Sequence, residues 1–186
     1  MRKLFSFFLA VLLPLAACSG EDSPVGPNRE GSLSFAYSGA VSGTFAVSGE
    51  ANLDATNYPQ NAFAAAVTES GGVFIAGFRP TERPKLDYIG ISLTGVTGPG
   101  TITVCTGPSG SGCPSLFFFL GLAGRDFDQA YAFTSGNVTI SGFTTERVRG
   151  TFQGTAVFIA ATGEPDFTRT VAVTNGQFDV PIRNDL

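Results

Sequence analysis

Apolar and polar residues alternate along most of this chain, and that period of two constrains it more than any other feature. Successive side chains of a strand point to opposite faces, so alternation marks a strand with one buried face. Val41, Gly43, Phe45 and Val47 alternate with Ser42, Thr44, Ala46 and Ser48. Ile89, Ile91 and Leu93 alternate with Tyr88, Gly90 and Ser92, and Ile102 and Val104 with Thr101 and Thr103. Phe127, Tyr131 and Phe133 are expected to share a side. Val138 and Ile140, then Phe152, Ala156 and Phe158, then Val171 and Val173, then Phe178, Val180 and Ile182 continue the pattern. Turn signals fall between the runs: Ser48-Gly49-Glu50, Ser70-Gly71-Gly72, Gly98-Pro99-Gly100, Ser135-Gly136-Asn137 and Asn175-Gly176. Asn175-Gly176 reads as the clearest hairpin of the set. No window carries a convincing period of 3.6. Ala62–Val67 is Ala-rich enough for a helical turn, although Phe63, Ala65 and Val67 also alternate. The expectation is one all-β domain over residues 33–186 with about nine to eleven short antiparallel strands. A β-sandwich is the leading architecture and a partly closed β-barrel the alternative.

Composition narrows the chemistry. The chain has 186 residues, 43% apolar, which suits one domain with a sizeable core. Charged residues make up 14%, against a usual share of about 25%. There is no His. The proton shuttle of a serine or cysteine hydrolase is therefore missing, and so are the ligands of an HExxH zinc site. A Ser–Lys dyad could draw only on Lys85, because Lys3 lies in the leader. Carboxylate chemistry of the glycosidase kind stays open. The expectation is a non-enzyme with no cofactor, no metal and no catalytic residues.

The first eighteen residues read as a targeting segment. Arg2 and Lys3 precede the apolar run Leu4–Ala17, which is shorter than the roughly 20 residues a membrane span needs. The run fits a secretory signal peptide over residues 1–17. Its end, Leu15-Ala16-Ala17-Cys18, resembles the bacterial lipobox. That resemblance implies cleavage before Cys18 and acylation of Cys18, with two or three chains enough for stable anchoring. Ser19 then points to the outer membrane under the family's sorting rule. Residues 18–32 form the acylated cysteine and a tether rich in Gly, Pro, Ser and charge, a composition that cannot build a core. Without Arg2 and Lys3 the chain keeps nine basic against fifteen acidic residues, so a nucleic-acid partner is not expected.

The C-terminal stretch GNVTISGFTTERVRGTF, followed by TRTVAVTNGQFDVPI, is similar to an uncharacterised family of bacterial envelope lipoproteins. Members pair a GTVTIT strand with an RVxGTFxF strand and close on VTVTNGxFDVPI. Gly98-Pro99-Gly100-Thr101-Ile102-Thr103-Val104 is similar to the family's GxGTYTL turn and strand. The resemblance implies a small all-β domain of unknown function and transfers no catalytic residues.

Four constellations stand out. Cys105 and Cys113 enclose seven residues, and in an oxidising compartment a disulfide closing a strand-to-strand loop is the economical reading; a redox pair or metal site is the alternative. Leu116–Leu120 is apolar on both faces, so Phe117, Phe118 and Phe119 form either a doubly covered central strand or an exposed contact ridge. Asp126 with Asp128, and Glu164 with Asp166, are acidic pairs whose default is a solvated turn; Asp126 and Asp128 are the best catalytic candidates, on one face of an expected strand. Arg79–Lys85 reads as a stiff basic loop with two prolines. The functional expectation is a membrane-anchored interaction or structural module of the envelope, with a small-ligand or glycan binder as alternative and a carboxylate-dependent hydrolase less favoured.

Overall fold

The structure is a computed structural model that describes residues 29–55, 58–69, 71–104, 114–124 and 126–183. Ten strands follow in chain order: β1 Gly31–Gly39, β2 Gly43–Gly49, β3 Phe63–Glu69, β4 Gly72–Pro80, β5 Leu86–Thr94, β6 Gly100–Thr103, β7 Ser115–Leu122, β8 Gln129–Phe143, β9 Arg147–Ile159 and β10 Pro165–Pro181. From Phe63 on, the Ala-rich run is strand and not a helical turn, because Phe63, Ala65 and Val67 pair along β4. No helix among the described residues is long and apolar enough to cross a membrane.

All ten strands belong to one antiparallel sheet in the order β2-β1-β10-β9-β8-β7-β5-β4-β3, with β6 alongside the second half of β8. Of the two architectures expected, the nearly closed barrel is the one formed. A sheet with one apolar face buries it completely by curling, and curling also removes most of the exposed edge. The gap between edge strands β2 and β3 is narrowed by the chain end. Ile182 bridges Ala66 in parallel fashion, and the Arg183 amide donates to the Ala66 carbonyl at 2.6 Å. Gly31 lies so close to the Ala64 carbonyl that no Cβ would fit, so residues 31 and 32 belong to the barrel and not to the tether.

Long strands replace several short ones. Asn175-Gly176 is not a hairpin. Asn175 adopts the left-handed conformation at φ 54°, and β10 runs on through it. Val173 pairs with Gly154 but Gly176 with Phe152, so one extra residue is inserted. Ser135-Gly136 is a similar bulge inside β8, with Phe133 opposite Ala156 and Ser135 opposite Thr155. Each insertion switches which residues face inward. Tyr131 and Phe133 give way to Val138 and Ile140, and Val171 and Val173 to Phe178 and Val180, all buried.

The interior is packed with rings. Phe118 stacks on Tyr131 at 4.9 Å and meets Phe35 edge-on at 5.5 Å; Phe35 stacks on Phe45 at 5.3 Å. Small residues make room for these rings. A Cβ on Gly150 would come within 2.6 Å of Phe178, and one on Gly176 within 2.7 Å of Phe152. Large beside small is how a narrow barrel reaches native density.

Candidate functional site

Four adjacent strands, β3, β4, β5 and β7, carry apolar side chains on their outer face as well as their inner one. The register builds that face in rungs. Phe63 pairs with Phe78, Phe78 with Tyr88, and Tyr88 with Phe119, so four aromatics cross the sheet on one line. Ring centroids are 4.9 Å apart for Phe63–Phe78, 5.0 Å for Phe78–Tyr88 and 6.1 Å for Tyr88–Phe119. The next rung is small, Ala65, Ala76 and Gly90, and ends on Phe117. A third rung holds Val67 and Phe74. Phe127, just ahead of β8, extends the first rung by packing on Phe119 at 5.5 Å.

Tall, short and tall rungs leave a groove of about 230 Å³. Ala65 and Ala76 floor it, Phe63 and Phe78 form one wall, Val67 and Phe74 the other, and Leu53 and Pro59 close an end. Phe74, Phe78, Phe117, Phe119 and Phe127 are each half-buried, mostly by one another. No described strand lies over them. The basic stretch Arg79–Lys85, expected to be all loop, starts inside β4, where Arg79 and Pro80 pair with Asp87 and Leu86, and it is neutralised in place. Arg79 pairs with Asp87 at 2.7 Å, Arg83 with Asp54 at 2.8 Å and Lys85 with Asp128 at 2.7 Å.

The opposite side of the barrel is built from the same alternation with different outward residues. Thr101, Thr139, Thr151 and Gln177 sit side by side across β6, β8, β9 and β10, next to Asn137, Gln153 and Asn175. They line a shallow, uncharged trough of about 580 Å³. The outer surface therefore has an aromatic side and a hydroxyl-and-amide side.

The residues singled out in the sequence separate accordingly. Phe117 and Phe119 point outward as one ridge, whereas Phe118 is 1% exposed and belongs to the core; the ridge of three consecutive phenylalanines is corrected to two, because neighbours in a strand face opposite ways. Phe127 does not share a side with Tyr131 and Phe133: it precedes β8 and packs outside. Asp126 and Asp128 are not on a strand face. Both are exposed ahead of β8, the Asp126 backbone pairs with Ala123, and the Asp128 carboxylate receives Lys85. Asp166 lies at the start of β10, not in a turn, and accepts from the Thr168 hydroxyl and amide, bonds that hold its carboxyl below the usual range. Cys18, Cys105 and Cys113 lie outside the described residues; the flanking Val104 and Pro114 are buried.

The strand runs also hid a charged pair at the barrel mouth. Asp87 is 8% exposed, and its carboxylate accepts from the Arg79 guanidinium and from the Gly121 amide at 3.0 Å. Arg79 in turn lies 5.0 Å over the Phe45 ring and donates to the Thr44 carbonyl. A buried acid so fully partnered serves as a plug between strands, without an open position for a substrate. Among the described residues no three His, Cys, Asp or Glu side chains gather as a metal site. The chain matches no protein-family model, no curated protein and no solved structure.

Proposed function

We propose that this chain is a bacterial envelope lipoprotein, anchored through an acylated Cys18 at the outer membrane, whose barrel is a non-catalytic interaction module. The observation that carries the reading is the outer aromatic face. Large apolar patches on a soluble surface mark contact sites, and here six aromatics on four adjacent strands, with Phe127 beside them, gather on one face, while the trough across β6, β8, β9 and β10 is lined mainly by Thr, Asn and Gln. Four of the carboxylates are tied down by cations, which speaks for binding over turnover. Asp87, Asp128 and Asp54 are held by cations, and Asp179 by Arg147 and Arg149. Buried rings pack the interior among the described residues, which favours the outside of the barrel as the surface offered to a partner. Replacing Cys18 tests the anchor: Cys18→Ala should abolish acyl labelling and release the protein from membranes, and retention of the variant after a high-salt wash would refute it.

A second reading, a glycan binder, is favoured by one feature, the trough of Asn137, Gln153, Asn175 and Gln177 flanked by threonines. Uncharged amides and hydroxyls match the donors and acceptors of a sugar. A thermal-shift screen with envelope oligosaccharides decides it, a shift abolished by Gln153→Ala being the positive result.

A further inference from the structure

We infer that the aromatic face of β3, β4, β5 and β7 rests on the lipid leaflet that holds the acylated Cys18, with the groove between the rungs open to acyl chains. The inference rests on the anchoring proposed above and adds an orientation to it. Its first support is where the chain leaves the barrel. Arg29 reaches Glu50 at 3.8 Å, and Gly31, two residues on, lies against the backbone of Ala64. Phe63, the neighbour of Ala64, is a wall of the groove. The anchored end of the chain therefore enters the barrel at the border of the aromatic face.

The second support is length. Ten residues, 19–28, join Cys18 to Arg29. At full extension these eleven steps span at most about 40 Å. A domain of this size has a radius of gyration of about 15 Å. The aromatic face is thus held within about one domain diameter of the leaflet. An intramolecular contact at that range benefits from an effective concentration in the millimolar region.

The third support is chemistry. The face combines apolar rings with one phenol, Tyr88, the mixture that settles at a membrane interface. The cations at its margin, Arg79, Arg83 and Lys85, are each paired to a carboxylate. Contact then depends on apolar area more than on anionic lipid, so it should persist at high salt.

The chain has no Trp, so a single introduced indole reports its own position. The experiment takes the full acylated protein, purified from membranes, into vesicles of phosphatidylcholine brominated on the acyl chains. Phe74→Trp places the indole on the aromatic face, and Thr151→Trp on the opposite wall. Flotation reports anchoring separately, and circular dichroism confirms folding; Phe127→Trp replaces Phe74→Trp if the latter does not fold. The expected result is flotation of all variants, with about a twofold or greater loss of Phe74→Trp emission, since interfacial apolar faces sink about 5–10 Å to the acyl boundary. The Thr151→Trp emission should be unchanged, and both results should survive high salt. Flotation without quenching at Phe74→Trp, or with equal quenching of both variants, overturns the orientation while leaving the anchor intact. Failure to float overturns the anchor and the orientation with it. An indole at position 74 that is blue-shifted without lipid, in a protein of dimeric mass, assigns the face to a second copy and overturns the inference.

Discussion

Asp87 shows how one residue ties several strands together. Its carboxylate joins β4, through Arg79, to the Gly121 amide of β7. Asp87→Ala would leave the guanidinium and that amide without their acceptor. Breaking a buried pair costs about 3–5 kcal/mol, and the partial exposure of Arg79 lowers the expectation to about 2–4 kcal/mol. Urea unfolding measures it, and a loss below 0.5 kcal/mol, on the order of an ordinary surface change, would contradict the plug role. Tyr131 carries a pH dependence. Burial raises the Tyr131 phenol above its ordinary value, opposed by the nearby Arg169. Above about pH 10 the unfolded chain releases this proton while the folded one keeps it, so stability is full below pH 10 and falls as pH rises through the folded value. Tyr131→Phe should flatten that alkaline loss, as read from urea midpoints between neutral pH and pH 11. It also removes the bond to Gln129, about 1 kcal/mol at all lower pH.

At the scale of an element, β10 depends on its bulge. The segment before Asn175 buries odd-numbered residues and the segment after it even-numbered ones. Asn175 is the extra residue, so deleting it would restore plain alternation and keep Phe178 and Val180 facing inward, whereas inserting one residue after Gly176 would turn both to solvent, and that variant should not fold. Asn175→Gly keeps the left-handed backbone and should unfold within about 0.5 kcal/mol of the parent, whereas Asn175→Val should lose about 1–2 kcal/mol. Equal stability of the two variants would speak against the assigned bulge. The same element explains a misreading of the sequence. Asn-Gly suits a two-residue hairpin and a bulge equally well, because both need a residue at positive φ. Which one forms depends on whether the flanking runs pair with each other or with a common neighbour, and here both pair with β9 and β1.

For the whole molecule, the distinction that matters is inside against outside the barrel wall. Phe118 and Phe119 are adjacent, yet the first touches Phe35, Tyr37 and Tyr131 inside while the second meets Tyr88, Phe117 and Phe127 outside. Phe118→Ala should cost about 3–5 kcal/mol, as for a core ring that leaves a cavity. Phe119→Ser should cost about 1 kcal/mol or less, because its neighbours can close over the gap and its site is half-solvated. Guanidinium unfolding of the two variants tests this, and equal losses would mean that the outer face is covered. The exported, anchored character proposed for the chain gives that open face its occupant.

Period-two patterning by itself determined the all-β class, the inward set from Phe45 to Val180 and the polar wall, because alternation is a local property that burial on one face imposes. Alternation also implies that Phe117 and Phe119 share a face opposite Phe118, although the ridge was expected to hold all three. Leu116–Leu120 is apolar at both parities, and Phe63–Val67 and Val73–Phe78 carry the same mark of strands with an unusual outer face. Only the tertiary structure decided that these runs lie on adjacent strands in matching register, which turns scattered phenylalanines into one surface. It also decided barrel over sandwich. Strand order and closure are set by long-range pairing and by where bulges bend the sheet, and no local pattern encodes them.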